Sequence, residues 1–222
     1  MLIGDAAYWV SRFTSIDERL LKRIIYIWPK CLAVMPPSPN EDDITLNLKS
    51  TLTKDEEARR IFYYLEYQFE PEGFTDDGLA FSKGKIDLAV MLDQSSSRYL
   101  AYECKRLNVS YNGARKSLAT LYVAEGVKRF ITEQYAEGLP VGCMLGYVLD
   151  GDIDFARTSV KKAIEDSSEI GLYKGPEEVE SIQDIKRFTT HHKRTATNSD
   201  IQLRHSFLPF PDIKQQRTKK AN

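Results

Sequence analysis

A chain of 222 residues with 42% hydrophobic and 11% aromatic content can bury a sizeable core as one domain, and it is too apolar to be disordered over most of its length. Its 31 basic and 32 acidic residues leave a formal net charge of −1. That balance excludes a globally basic nucleic-acid binder and confines any such contact to a local patch.

The N-terminus lacks the basic start and long apolar run of a signal peptide, and no stretch approaches a membrane span, so the expectation is a cytoplasmic protein with no membrane partner. Ser15 to Glu18 has capping-box spacing, and Leu20, Leu21, Ile24, Ile25 and Trp28 follow at helical intervals, which predicts a helix ending by Pro29. After the rigid loop Pro36-Pro37-Ser38-Pro39, Asn40 can cap a second helix that opens Glu41-Asp42-Asp43 and carries Ile44, Leu48 and Leu52 on one face. Acids in a first turn serve the helix dipole, and Glu41, three residues before Ile44, shares the inward face. Residues 54–70 carry both a helical stripe and, from Tyr63, an alternation with strong β propensity. The stretch from Pro71 to Lys83 reads as an exposed loop.

Residues 84–106 are the centre of the chain. Ile86 to Leu92 is a short β-prone run, Asp93-Gln-Ser-Ser-Ser is turn chemistry, and Tyr99 to Cys104 is a second run, so a hairpin is predicted. Asp87, Glu103 and Lys105 are charges inside apolar strands, costly to bury unless paired or bound to a cation. Glu103 and Lys105 share a strand face, and Asp87 falls opposite them in a hairpin. Two carboxylates and an ammonium converging in this way can hold Mg²⁺ and act on a phosphodiester, with the lysine orienting or deprotonating water or stabilising negative charge.

Ile86-Asp87, a fifteen-residue gap and Glu103-Cys104-Lys105 resemble the PD-(D/E)xK signature of the restriction-endonuclease-like nucleases, with Ile86 at the proline position. The resemblance implies an α/β fold whose mixed central β-sheet is flanked by helices, and Mg²⁺-dependent endonuclease activity on nucleic acid, DNA above all, with Mn²⁺ able to substitute. It implies Asp87 and Glu103 as metal ligands, Glu41 as a further acid from the preceding helix, and Lys105 as the fourth catalytic residue. It also favours helix to about Arg60 and strand thereafter, which makes Glu66 and Gln68 fallback site residues. Stand-alone domains of this kind occur in prokaryotic antiviral defence and DNA processing, often with partner proteins supplying specificity. The competing expectation is an inactive nuclease-fold scaffold or a nucleic-acid-binding subunit, for which the loss of Asp87, Glu103 or Lys105 would be the sign; all three are present.

Beyond the motif, Arg106, Arg115-Lys116 and Lys128-Arg129 form a local basic excess. Arg106, Arg115 and Lys116 are the candidates for phosphate contacts, the last two near the start of a helix predicted from Gly113 to Tyr135. Arg129 and Glu125 read as a surface i,i+4 pair. Val141 to Leu149 predicts a strand buried on both faces and parallel to that of Glu103. A helix around Arg157 to Ile164, another after Pro176, and strands at Lys186–Thr190 and Ile201–Phe210 follow. His191-His192 reads as a basic strand end or plain surface, and His205 as a hydrogen-bonded core residue. One domain over 1–211 is expected, with a disordered basic tail at 212–222. Cys31, Cys104 and Cys143, far apart and beside apolar residues, predict core thiols, not a zinc site, and no G-x-S-x-G elbow is present.

Overall fold

The computed structural model describes residues 6–36, 38–111, 114–183 and 185–211; the predicted basic tail lies outside them. Among the described residues the first helix, α1, is Ala6–Ala33, followed by α2 (Glu41–Lys54), a 3₁₀ turn (Ala58–Arg60), β1 (Tyr64–Phe69), and a small hairpin of β2 (Glu72–Phe74) and β3 (Ala80–Ser82). Next come β4 (Ile86–Met91), β5 (Tyr99–Leu107) and a second small hairpin of β6 (Val109–Tyr111) and β7 (Ala114–Lys116). A helical stretch follows as α3 (Ala119–Tyr122), a π-turn (Val123–Val127) and α4 (Lys128–Ile131). The chain continues through β8 (Val141–Val148), α5 (Ile153–Glu165), β9 (Leu172–Ile182), β10 (Ile185–Lys193) and β11 (Asp200–Pro209).

Seven strands form one mixed sheet in the order β1-β4-β5-β8-β11-β10-β9. Its middle is parallel, β5 to β8 to β11, and an antiparallel pair flanks it on each side. Every residue of β8 is buried, as an unbroken apolar run at the centre of such a sheet requires. The expected mixed sheet with flanking helices is therefore present.

Helices cover both faces. On one, α1 lays Leu20, Ile24 and Ile27 on the sheet, its Asp17 accepts from Tyr102 of β5 (2.7 Å) and Arg204 of β11 (2.7 Å), and Trp28 stacks on Tyr147 of β8. On the other, Tyr122 of α3 stacks on Phe207 and meets His205 (3.0 Å), while Phe130 of α4 packs beside Gly142. α2 is held at both ends. Asn40 and Asp43 form a capping box, Thr45 Oγ1 lies 3.0 Å from the Tyr147 hydroxyl, and Arg23 of α1 makes two 2.5 Å bonds to Asp55 just past its C-terminus.

Several expectations are corrected. Trp9 and Phe13 extend the buried stripe of α1 upstream of Ser15, so the capping-box spacing there lies inside a helix that also runs one turn past Pro29. The stretch before Ala119 is the β6–β7 hairpin, not helix. After Pro176 the chain stays extended as β9, an edge strand whose charged, mostly exposed residues blunt the sheet margin. His192 is fully buried in β10, bonded to the Ile170 carbonyl and Thr190, and is neither a basic strand end nor surface. His205 is a core residue held by Tyr122 and Thr190, as expected.

Candidate active site

β4 and β5 pair from Met91–Tyr99 to Leu88–Tyr102 and then part, one step before Asp87 would face Glu103. β5 continues, held by β8 on its other side through Leu107. The N–H groups of Cys104 and Arg106 consequently point to an edge with no neighbouring strand, where a buried donor must find another partner. Carboxylates supply it: Asp87 Oδ2 accepts from the Cys104 N–H (2.7 Å), and Glu41 Oε2 accepts from the Arg106 N–H (2.8 Å). The break in the ladder thus seats two acids from different elements beside one strand.

Lys105 joins them. Its ammonium lies 2.7 Å from Glu103 Oε1, 2.9 Å from Glu41 Oε1 and 3.8 Å from Asp87 Oδ2, and it donates to the Cys104 carbonyl (3.0 Å). The Asp87 and Glu103 oxygens facing it are therefore no more than about 6.5 Å (3.8 Å plus 2.7 Å) apart. Glu103 is wholly buried. The π-turn brings the backbone of Gly126 close above it: a Cβ there would stand 2.5 Å from the Met144 methyl and 3.6 Å from Glu103 Cγ.

Burial and then the Asp87 charge push the Glu103 carboxyl up to about 8, with Lys105 and Arg129 pulling the other way. Asp87 is also raised, by burial first; Lys105 and the Cys104 N–H oppose the rise, and Glu41 adds to it. Burial alone would lower Lys105, but Glu103, Asp87 and Glu41 outweigh it and raise the ammonium above its ordinary value. Lys105 is thus held in its charged form.

Arg129, Tyr135 and Tyr67 went unrecognised in the sequence. Arg129 does not pair with Glu125. Its Nη1 donates to Glu103 Oε1 (2.9 Å) and to the Tyr135 hydroxyl (2.8 Å), and that hydroxyl donates to the Lys85 carbonyl just before β4. Tyr67 of β1 borders the acids, its hydroxyl pushed up to about 12 by burial and then by Asp42 and Asp87. Of the fallback residues, Glu66 makes no ion pair with Lys105 among the described residues, whereas Gln68 donates to Tyr67 (3.0 Å) and Asp42 (3.4 Å) at the border of the site.

The proposed phosphate contacts separate. Arg106 donates to the Pro39 carbonyl (3.2 Å) beside the site. Arg115 and Lys116 lie on β7, not at a helix start. Arg115 is already paired with Asp150 (2.6 Å) and Asp152 (2.9 Å), which neutralises the charge it would offer to a phosphate, whereas Lys116 is exposed. The three cysteines are buried free thiols, pushed up by burial and unsuited to nucleophilic work.

Among the described residues, no group of three or more His, Cys, Asp or Glu side chains is placed to hold a metal ion as it stands. The geometry shows why, since the Lys105 ammonium occupies the space between the carboxylates. In kind, however, the donor set fits a hard divalent cation: all three acids offer oxygen, and Glu103 Oε2 is buried with no hydrogen-bond partner. No protein-family model matches the chain, and neither a curated protein nor a solved structure matches it.

Proposed function

We propose that the chain is a Mg²⁺-dependent nuclease of the PD-(D/E)xK kind, hydrolysing phosphodiester bonds in nucleic acid, with DNA as the first substrate to test. The observation that carries the reading is the meeting of Glu41, Asp87 and Glu103 around one lysine where the β4–β5 ladder breaks. Asp87 and Glu103, with Glu41 as a further acid, are the residues that would hold the ion. When bound, Mg²⁺ or Mn²⁺ supplies a Lewis acid that makes water a stronger nucleophile and offsets phosphate charge.

The chain's own residues perform the rest. Lys105 carries its charge at neutral pH, so its role is to donate hydrogen bonds and positive charge to the phosphate as negative charge develops, not to remove a proton from water. Arg129, tied to Tyr135, fixes the Glu103 carboxylate from the helical side. Arg106 and Lys116 are left to position the nucleic-acid backbone. Prokaryotic defence or DNA processing, with partner proteins choosing the target, belongs to the same proposal.

A second reading, a nuclease-like scaffold without catalysis, is favoured by one observation: the acids already hold a cation of their own, Lys105, which pairs with Glu41 Oε1 and Glu103 Oε1. A panel of single- and double-stranded DNA and RNA, incubated with Mg²⁺ or Mn²⁺ and the purified protein, separates the two. The nuclease reading expects metal-dependent cleavage that Asp87→Asn abolishes. Cleavage that survives Asp87→Asn, or no cleavage of any substrate, favours the scaffold.

A further inference from the structure

Tyr8, Arg12, Ser15 and Arg19 recur at intervals of three or four residues along α1 and so share one helix face. That face does not lie on the sheet. It forms one wall of a cavity of about 570 Å³, which is also lined by Arg60 at the end of the 3₁₀ turn and Tyr63 just before β1. The volume is that of a site for a nucleotide-sized ligand. Leu92, which also lines it, lies five residues along the strand direction from Asp87, a separation of ~17 Å at ~3.3 Å per residue. The cavity is therefore distinct from the carboxylate site.

Its charge is one-sided. Among the described residues that line it there are three arginines and no acid. Arg60 is partly engaged by Glu57 (2.6 Å) in an exposed pair. Among the described residues Arg12 donates to the Tyr8 hydroxyl (3.0 Å), with its guanidinium 5.7 Å from the Trp9 ring, and neither Arg12 nor Arg19 makes an ion pair. Guanidinium groups gathered in a concavity without a carboxylate have their unused donors arranged for an oxyanion, and phosphate accepts such donors in pairs. The walls also carry large aromatic surface that the core does not use, since Tyr63 is 61% and Tyr8 55% exposed. Flat, exposed tyrosine rings beside arginines are what a nucleobase stacks on.

We propose that this cavity binds a nucleotide, free or at the end of a nucleic-acid strand, with its phosphate held by Arg12 and Arg19 and its base laid against Tyr63. The proposal goes beyond the nuclease reading and does not depend on it, because binding at this cavity requires neither a metal nor cleavage.

Fluorescence anisotropy and calorimetry on the full chain in a metal chelator, where metal-dependent cleavage does not occur, test it. The probes are adenosine monophosphate, a single-stranded DNA dodecamer with and without a 5′-phosphate, and inorganic phosphate. The expected result is binding of adenosine monophosphate, of the phosphorylated strand, or of both, weakened about tenfold or more in R12A/R19A and by removal of the 5′-phosphate. Tyr63→Phe should retain binding and Tyr63→Ala weaken it. Equal binding of monophosphate and phosphorylated strand identifies a free nucleotide as sufficient, and binding of the strand alone identifies a strand end. Arg12, Arg19 and Tyr63 are exposed, and a measurement on the unaltered protein guards against a misfolded variant: two arginine–phosphate contacts predict log affinity falling against log salt with a slope of about −1.4 for the strand. The proposal is overturned if no probe binds, if R12A/R19A binds as the parent does, if inorganic phosphate competes as well as the monophosphate, or if the salt slope is near zero.

Discussion

Glu103→Gln should change how the protein's stability depends on pH. In the folded chain burial and Asp87 hold the Glu103 carboxyl protonated up to about 8, whereas its ordinary value, and so that of the unfolded chain, is 4.5. Between those values the folded state binds more protons than the unfolded one, so this group's contribution falls as pH rises through the window. At ~1.36 kcal/mol per pH unit the interval from 4.5 to about 8 is worth at most ~5 kcal/mol. For a chain of this length that corresponds to a melting-temperature difference on the order of 10 °C. Asp87, also raised, acts in the same direction. Buried His192, lowered to about 4, and His205, held well below its ordinary value by burial, act oppositely, gaining stability as pH rises towards their ordinary 6.5. Glutamine keeps an acceptor at Oε1 for Lys105 and Arg129 but cannot ionise, so the difference between the two proteins' pH curves reports residue 103 together with its coupling to Asp87 and cancels the histidines. Melts by circular dichroism from pH 5 to 9, in chelator, should show the parent losing stability relative to Glu103→Gln as pH rises. Parallel curves would refute the reasoning.

The other predictions concern the neighbours of this group. Arg129→Met removes one of the two cations on Glu103 Oε1 and should cost ~1–3 kcal/mol in urea unfolding at pH 7, while shifting the Glu103 transition to higher pH. Asp17→Asn takes the nearer of two carboxylates from buried Arg204, leaving Glu18 at 3.2 Å, and weakens the tie between α1 and the sheet; a loss of ~1–3 kcal/mol by the same assay is expected, and no measurable loss would show that Glu18 alone holds Arg204. Glu41→Gln should cost only ~0.3–1 kcal/mol, because Asp42, Asp43 and the Asn40 cap still serve the helix N-terminus, yet it should reduce metal-dependent cleavage; retained cleavage would reduce Glu41 to a dipole and backbone-capping role.

Local pattern revealed the elements on which the site is built. Asn40 and the acids after it marked the start of α2, the turn residues from Asp93 marked the β4–β5 hairpin, and the apolar run from Val141 marked a central strand. The strand period alone was enough to bring Asp87, Glu103 and Lys105 together. What escaped depended on contacts distant in sequence or on a departure from regular period. Arg129 looked like a surface partner of Glu125 because ideal helical spacing places them together. The π-turn at Val123–Val127 precedes it in the helix, and its guanidinium reaches Glu103 instead. Arg115 looked free for phosphate because Asp150 and Asp152, which hold it, come from the loop after β8. The strand β9 has no apolar alternation to reveal it, being an exposed edge defined by its pairing with β10.

The most direct test of the account is the single-turnover rate of Mg²⁺-dependent cleavage by the parent and by Lys105→Ala, measured side by side at saturating metal on the best substrate from the nucleic-acid panel. If the ammonium between Glu41, Asp87 and Glu103 stabilises charge on the reacting phosphate, its removal should lower the rate at saturating metal ~100-fold or more. An unchanged rate in Lys105→Ala would contradict it and leave the four residues as a structural ion cluster.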